Sequence, residues 1–208
     1  MRTIKNIQIK LFLKYVKSAC KKHKIKFTLI EDKSYSDDER DFSGYFVDVK
    51  GHRELLVTAP TQSHMVSTLV HEFSHMIQWL EQSPVYTART RGGIDPYAIM
   101  VDWLSGKEYK RSTVKNAIQK VRLCELDCDR RALLIIDEFN LPIDKKEYIY
   151  DAIAYQYFLL YVGVKRDWNF NGKGFSSSPI KGIVDPNLDN DFSKLPRNIK
   201  KLLDHSLS

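Results

Sequence analysis

From Ser63 to Gln82 the apolar positions recur at helical period: Met65, Val66, Leu69, Val70, Phe73, Met76, Ile77 and Leu80 fall on one broad arc. The opposite arc holds His64, Thr68, His71, Glu72, His75, Gln78 and Gln82. The pattern predicts a helix that buries one side in a core and turns a polar side toward a cleft. Thr61, Gln62 and Ser63 after Pro60 offer its N-terminal cap, and Ser83-Pro84 its stop. A second helix is expected over Thr113 to Asn140, with Val114, Ile118, Val121, Arg122, Glu125, Asp129, Ala132, Leu133 and Ile136 in one stripe. A third, Ile4 to His23, carries Ile4, Ile7, Leu11, Phe12, Tyr15, Val16 and Ala19 on one side. Period-two alternation predicts a strand from Ile25 to Ile30 and a hairpin of Gly44 to Lys50 with Arg53 to Thr58 around Gly51-His52.

The remaining stretches complete an α+β outline. Polar Glu31 to Ser43 reads as a loop, and Pro84 to Lys110, with Arg91-Gly92-Gly93 and Asp95-Pro96, as a long irregular excursion that shapes a cleft. Asp144 to Val162 is expected as a helix, with Asp144 and Glu147 placed as a capping box. Gly163 to Ser178 reads as loop, and Pro196 to His205 as a short closing helix. A small N-terminal sheet thus precedes two long helices, within one domain spanning 1–208.

Composition narrows the class. With 208 residues and 43% hydrophobic content the chain can bury one sizeable core. No run approaches the ~20 apolar residues of a membrane span, and no signal-peptide core is present, so a cytoplasmic enzyme without membrane partners is expected. Three cysteines, Cys20, Cys124 and Cys128, make no disulfide framework and suit a reducing compartment. Cys124 and Cys128 share a helix face; two thiols alone lack partners for a metal, and they read as small packed residues. The net charge of +7 concentrates in part on the first helix, where Lys10, Lys14, Lys17 and Lys21 form a stripe extended by Lys22, Lys24 and Lys26. Such a stripe can meet nucleic acid, but no nucleic-acid motif accompanies it, and a solvated face is the favoured reading.

The chemistry lies in His71-Glu72-Phe73-Ser74-His75. Positions i and i+4 of a helix lie one above the other, so both imidazoles can reach one zinc ion. Glu72 is rotated about 100° from His71 and can take a proton from a metal-activated water. A catalytic zinc usually has three protein ligands and an open position. The metzincin pattern fails, because positions 78 and 81 hold Gln78 and Glu81. Glu125 and Asp129 answer the need: two acids four apart on a core-facing stripe, where an unpaired carboxylate costs several kcal/mol, roughly. Glu125 is expected as the third ligand and Asp129 as its supporting acid, bonding a zinc histidine's other ring nitrogen. The alternative is an ordinary helix salt-bridge network with Arg122 or Arg130.

HEFSH, with Glu125-Leu126-Asp127-Cys128-Asp129 downstream, resembles the HExxH plus ExxxD arrangement of gluzincin metallopeptidases, and most of all the minimal intracellular zincins of the ImmA/IrrE type. The resemblance covers Tyr45 to Asn140. It implies a zincin-like fold, zinc on His71, His75 and Glu125, Glu72 as general base, and Asp129 supporting His71. SprT-like proteases, considered because the chain is basic, use a third histidine soon after the first helix, and none is present here. Tyr155 is the expected donor to the oxyanion, with His205 the other downstream candidate. The expected activity is endopeptidase cleavage of an intracellular protein, with the substrate laid along an edge strand in the Arg53 to Thr58 region. The rivals are a non-catalytic zinc-bearing binding module, which needs no base and is usually closed by four ligands, and a nucleic-acid-associated protease using the basic helix.

Overall fold

The computed structural model describes residues 6–30, 35–37, 40–49, 51–90, 94–168 and 178–206. They form an α+β structure of seven α-helices, a three-stranded mixed sheet and a separate strand pair. Ile4, Lys50, Arg91-Gly92-Gly93 and most of the Gly163 to Ser178 stretch lie outside the described residues. The chain divides into two compact units, Met1–Glu81 with Arg130–Asp144, and Gln82–Asp129 with Lys145–Ser208.

In the first unit, α1 (Ile7–Lys22) starts at Asn6, whose Oδ1 accepts from Ile9 N at 3.1 Å. Its buried side is Ile9, Phe12, Leu13, Val16 and Cys20, while Ile7, Leu11 and Tyr15 are 59, 55 and 49% exposed. The expected stripe is therefore rolled. Its apolar arc is wide enough to be centred in more than one way, and Phe12 decides it by packing on Phe73 and Phe139, with ring centroids 5.9 and 5.1 Å away. The lysine stripe of α1 is exposed throughout.

β1 (Lys26–Ile30), β4 (Gly44–Val49) and β5 (His52–Thr58) form the sheet in the order β1-β5-β4. Leu55 of β5 pairs Phe27 in parallel and Phe46 in antiparallel register. The β4–β5 hairpin turns at Gly51, whose φ of +83° a side chain would strain. β5 is thus the central strand, with its backbone bonded on both sides. The expected substrate edge along Arg53 to Thr58 is not an edge, because a seven-residue strand with Glu54 to Thr58 all buried gains most by sitting between two partners. Within the polar stretch expected as loop, β2 (Tyr35–Asp37) and β3 (Arg40–Phe42) pair antiparallel.

α2 (Gln62–Leu80) follows, capped by Thr61, whose hydroxyl accepts from His64 N at 3.1 Å. Its far end is tied to the sheet: Trp79 Nε1 donates to Asp48 at 2.8 Å, and Arg53, bonded to the same carboxylate, lies over the indole.

The second unit is helical: α3 (Pro84–Thr90), α4 (Pro96–Leu104), residues 111–129 of the long α5 (Arg111–Glu138), α6 (Lys145–Lys165) and α7 (Arg197–Ser206), while residues 130–138 of α5 belong to the first unit. The stretch expected as irregular holds α3 and α4. Asp95-Pro96, expected as part of that irregular stretch, is a helix start: Asp95 accepts from Tyr97 N at 2.9 Å and Pro96 opens the first turn. α6 runs on to Lys165, so Gly163 is helical. Met100, Val114, Ile118, Val121 and Leu159 form one buried core cluster of the unit. Among the described residues no helix is long and apolar enough to cross a membrane.

Candidate metal centre

α2 buries Met65, Val66, Leu69, Val70, Phe73 and Met76, which fixes the direction of its polar side. His71 and His75 stand on that side with ring centroids 4.9 Å apart and planes at 88°. His75 is buried, and its Nδ1 lies 2.9 Å from Gln78 Oε1. An amide oxygen only accepts, so Nδ1 carries the proton and Nε2 keeps the lone pair a metal needs. Gln78 is fully buried, and this bond explains a wholly buried amide beside a histidine. Glu72 is half-buried. Its Cγ lies where β4 begins: a Cβ on Gly44 would stand 3.1 Å from it, 2.7 Å from Thr68 Cγ2 and 2.8 Å from the carbonyl oxygen of Leu56. Two turns before His71, burial lowers the pKa of His64, whose Nε2 lies 3.3 Å from Thr58 Oγ1.

The ligating atoms of His71, His75 and Cys128 all lie within 4.8 Å of one another, a group that could hold a metal ion. Donors around a tetrahedral zinc stand about 3.4–3.8 Å apart, given metal–ligand bonds of roughly 2.0–2.3 Å. The bound of 4.8 Å exceeds that spacing by about 1 Å, and two imidazoles with a thiolate are a zinc-type donor set. Cys128 is buried, as expected of a packed residue, and the α2 histidines lie within reach of its thiol.

Glu125, the expected third ligand, is half-buried on α5, one turn before Cys128, and is not among the three. It contributes to the field on Arg89. Burial works against that guanidinium's charge, but Asp95, bonded to it at 3.3 Å, with Cys124 and Glu125 acting through space, raises its pKa. Arg122, offered as a salt-bridge partner for Glu125, donates instead to the carbonyl of Phe192. Asp129 is 4% exposed and its Oδ1 accepts from Tyr148 Oη at 2.9 Å. Tyr155, half-buried on α6, packs on the core cluster and stacks with Phe158 at 6.3 Å between centroids. His205 is exposed in the last turn of α7.

Sequence reasoning passed over Gln78, Cys128 and Tyr148. Gln78 was visible on the polar arc, and Tyr148 lies two turns before Tyr155. No spacing rule ties Cys128 to two histidines so far away in the chain. No protein-family model matches this chain, and no curated protein and no solved structure is found to match it.

Proposed function

We propose that this protein is a zinc-dependent endopeptidase of gluzincin type, acting on an intracellular protein, with His71 and His75 as ligands and Glu72 as general base. The observation that carries the reading is the pair of imidazoles on α2 with a further donor of α5 within 4.8 Å. When bound, zinc supplies Lewis acidity, which polarises a carbonyl and makes water acidic near neutral pH. Glu72, held between α2 and the start of β4, accepts the proton of the attacking water and returns it to the leaving amine. Gln78 holds His75 in the tautomer that ligates. Among the described residues β4 has one backbone edge unpaired, and its first residue, Gly44, lies beside Glu72, so an extended substrate adds to β4 rather than to β5.

The third ligand is Glu125, as the ExxxD resemblance implies, with Asp129 as a supporting acid. A second reading, favoured by the proximity of Cys128, makes the thiolate the third ligand. Metal analysis of Glu125→Gln and Cys128→Ser separates them: the variant that loses zinc names the ligand.

The activity is tested with zinc-loaded protein on a mixture of quenched fluorescent peptides. Glu72→Gln should retain zinc and lose about 10²–10⁴-fold in rate. Cleavage at the wild-type rate by that variant refutes the peptidase. Absence of cleavage by the wild type, with zinc bound, points to the non-catalytic zinc module.

A further inference from the structure

Within the second unit, a cavity of about 580 Å³ opens between α5, α6 and the segment around Ser193, inside the roughly 300–1,000 Å³ of small-molecule sites. Its apolar wall is Trp103, Val114, Ile118 and Leu160. Gly163 lies at the close approach of α6 to α5, where a Cβ would stand 2.9 Å from Ile118 Cδ1. Among the described residues the charged groups lining it are all cationic, Arg111, Lys115, Arg122 and Lys194. Three of them come from α5 at positions 111, 115 and 122, one face at helical spacing.

Arg122 distinguishes this cavity from a surface groove with lysines at its rim. It is 8% exposed, one Nη donates to the carbonyl of Phe192, and its Nε is buried with no hydrogen-bond partner among the described residues. Burial presses its pKa down, with Asp191 and Tyr157 opposing. Asp191 is itself engaged, accepting from the Ser193 amide at 2.7 Å and hydroxyl at 2.9 Å, and does not line the cavity. A buried guanidinium with an orphaned donor costs stability unless something answers it. It persists here beside an apolar wall of ligand size.

We propose that this cavity binds a small organic acid, its carboxylate meeting Arg122 and its apolar body lying against Trp103, Val114, Ile118 and Leu160. Planar carboxylates suit the guanidinium fork, and Lys115 and Lys194 at the exposed mouth add attraction without geometry. The site is separate from the proposed zinc residues and does not rest on them.

The test is calorimetric titration of the full chain with octanoate and with 1-octanol, which shares the body without the charge. Octanoate should bind at one site, about tenfold or more tighter than octanol, the worth of one charge-assisted bond. Arg122→Met should abolish that preference, and Lys115→Glu, an exposed change that leaves the core alone, should weaken octanoate by a few fold, roughly. No saturable octanoate binding, equal binding of octanol, or unchanged octanoate affinity in Lys115→Glu and a folded Arg122→Met would each overturn the site.

Discussion

Gln78 sits at a position where a helix one turn past the second histidine has every reason to carry an apolar residue, since it is fully buried. Its amide oxygen instead holds the His75 ring. A partner of this kind sets both the tautomer and the ring's rotation, and its loss typically weakens metal binding about 10–100-fold. Gln78→Leu, which keeps the volume and removes the acceptor, should lower zinc affinity by that factor in a chelator competition, while Gln78→Glu restores it. Equal affinities for wild type and Gln78→Leu would show that the bond is incidental. At this scale the sequence made His71, Glu72 and His75 legible because they are a local motif on one helix. Gln78 was legible only as polar: an amide bonded to a ring nitrogen looks the same in a sequence as one in solvent, and what sets it apart is burial. Cys20 shows the converse, since burial alone, against Met76, pushes its thiol up to about 11 and leaves it inert.

The elements carry two further consequences. Gly44 is where β4 meets α2, and the contacts a Cβ would make include a backbone carbonyl at 2.8 Å, which cannot step aside as a side chain can. Gly44→Ala should therefore push β4 from α2, costing about 1–3 kcal/mol and moving Glu72. Peptidase activity should fall more than stability explains, and a variant as stable and active as wild type would show that the strand has slack. On β5, Glu54 is 5% exposed and receives Thr28 Oγ1 at 2.6 Å, Lys26 Nζ at 2.8 Å and Tyr45 Oη at 3.2 Å. Burial pushes its pKa up, but the bonds from Lys26 and Thr28 and the charge of Lys26 outweigh it and hold the carboxyl at about 2 against an ordinary 4.5. The folded value is the lower one, so the stabilisation is complete above pH 4.5 and is lost as pH falls toward 2. Allowing for screening of the exposed Lys26, it amounts to about 2 kcal/mol. Urea unfolding of Glu54→Gln against wild type should differ by that amount at pH 6, and the difference should shrink steadily as pH falls from 4.5 toward 2; a constant difference would remove the carboxylate from the explanation. Hydrophobic period found the α1, α2, α5 and α6 helices and the β4–β5 hairpin. It could not say that β5 lies in the middle of the sheet, since order depends on which strand edges meet, nor distinguish the Asp95-Pro96 helix start from irregular chain, since the same pair of residues serves both.

For the whole molecule, the proposed donors come from distant parts of the chain: two imidazoles on α2, and either Cys128 or Glu125 on α5, whose residues 111–129 and 130–138 belong to different units. An unfolded chain holds no such set, so metal affinity for the folded state adds to folding free energy. Zinc at about 100 times its Kd should stabilise by about 2.7 kcal/mol, which for a chain of this size raises Tm by about 5–10 °C. Chelator-stripped protein scanned with and without zinc should show the rise. Glu72→Gln should keep it, because the base does not ligate, whereas His75→Ala should lose it. Octanoate should add its own increment in the His75→Ala protein, since Arg122 and its cavity hold no zinc donor. A zinc effect that survives both His71→Ala and His75→Ala would place the metal elsewhere and remove the basis of the peptidase.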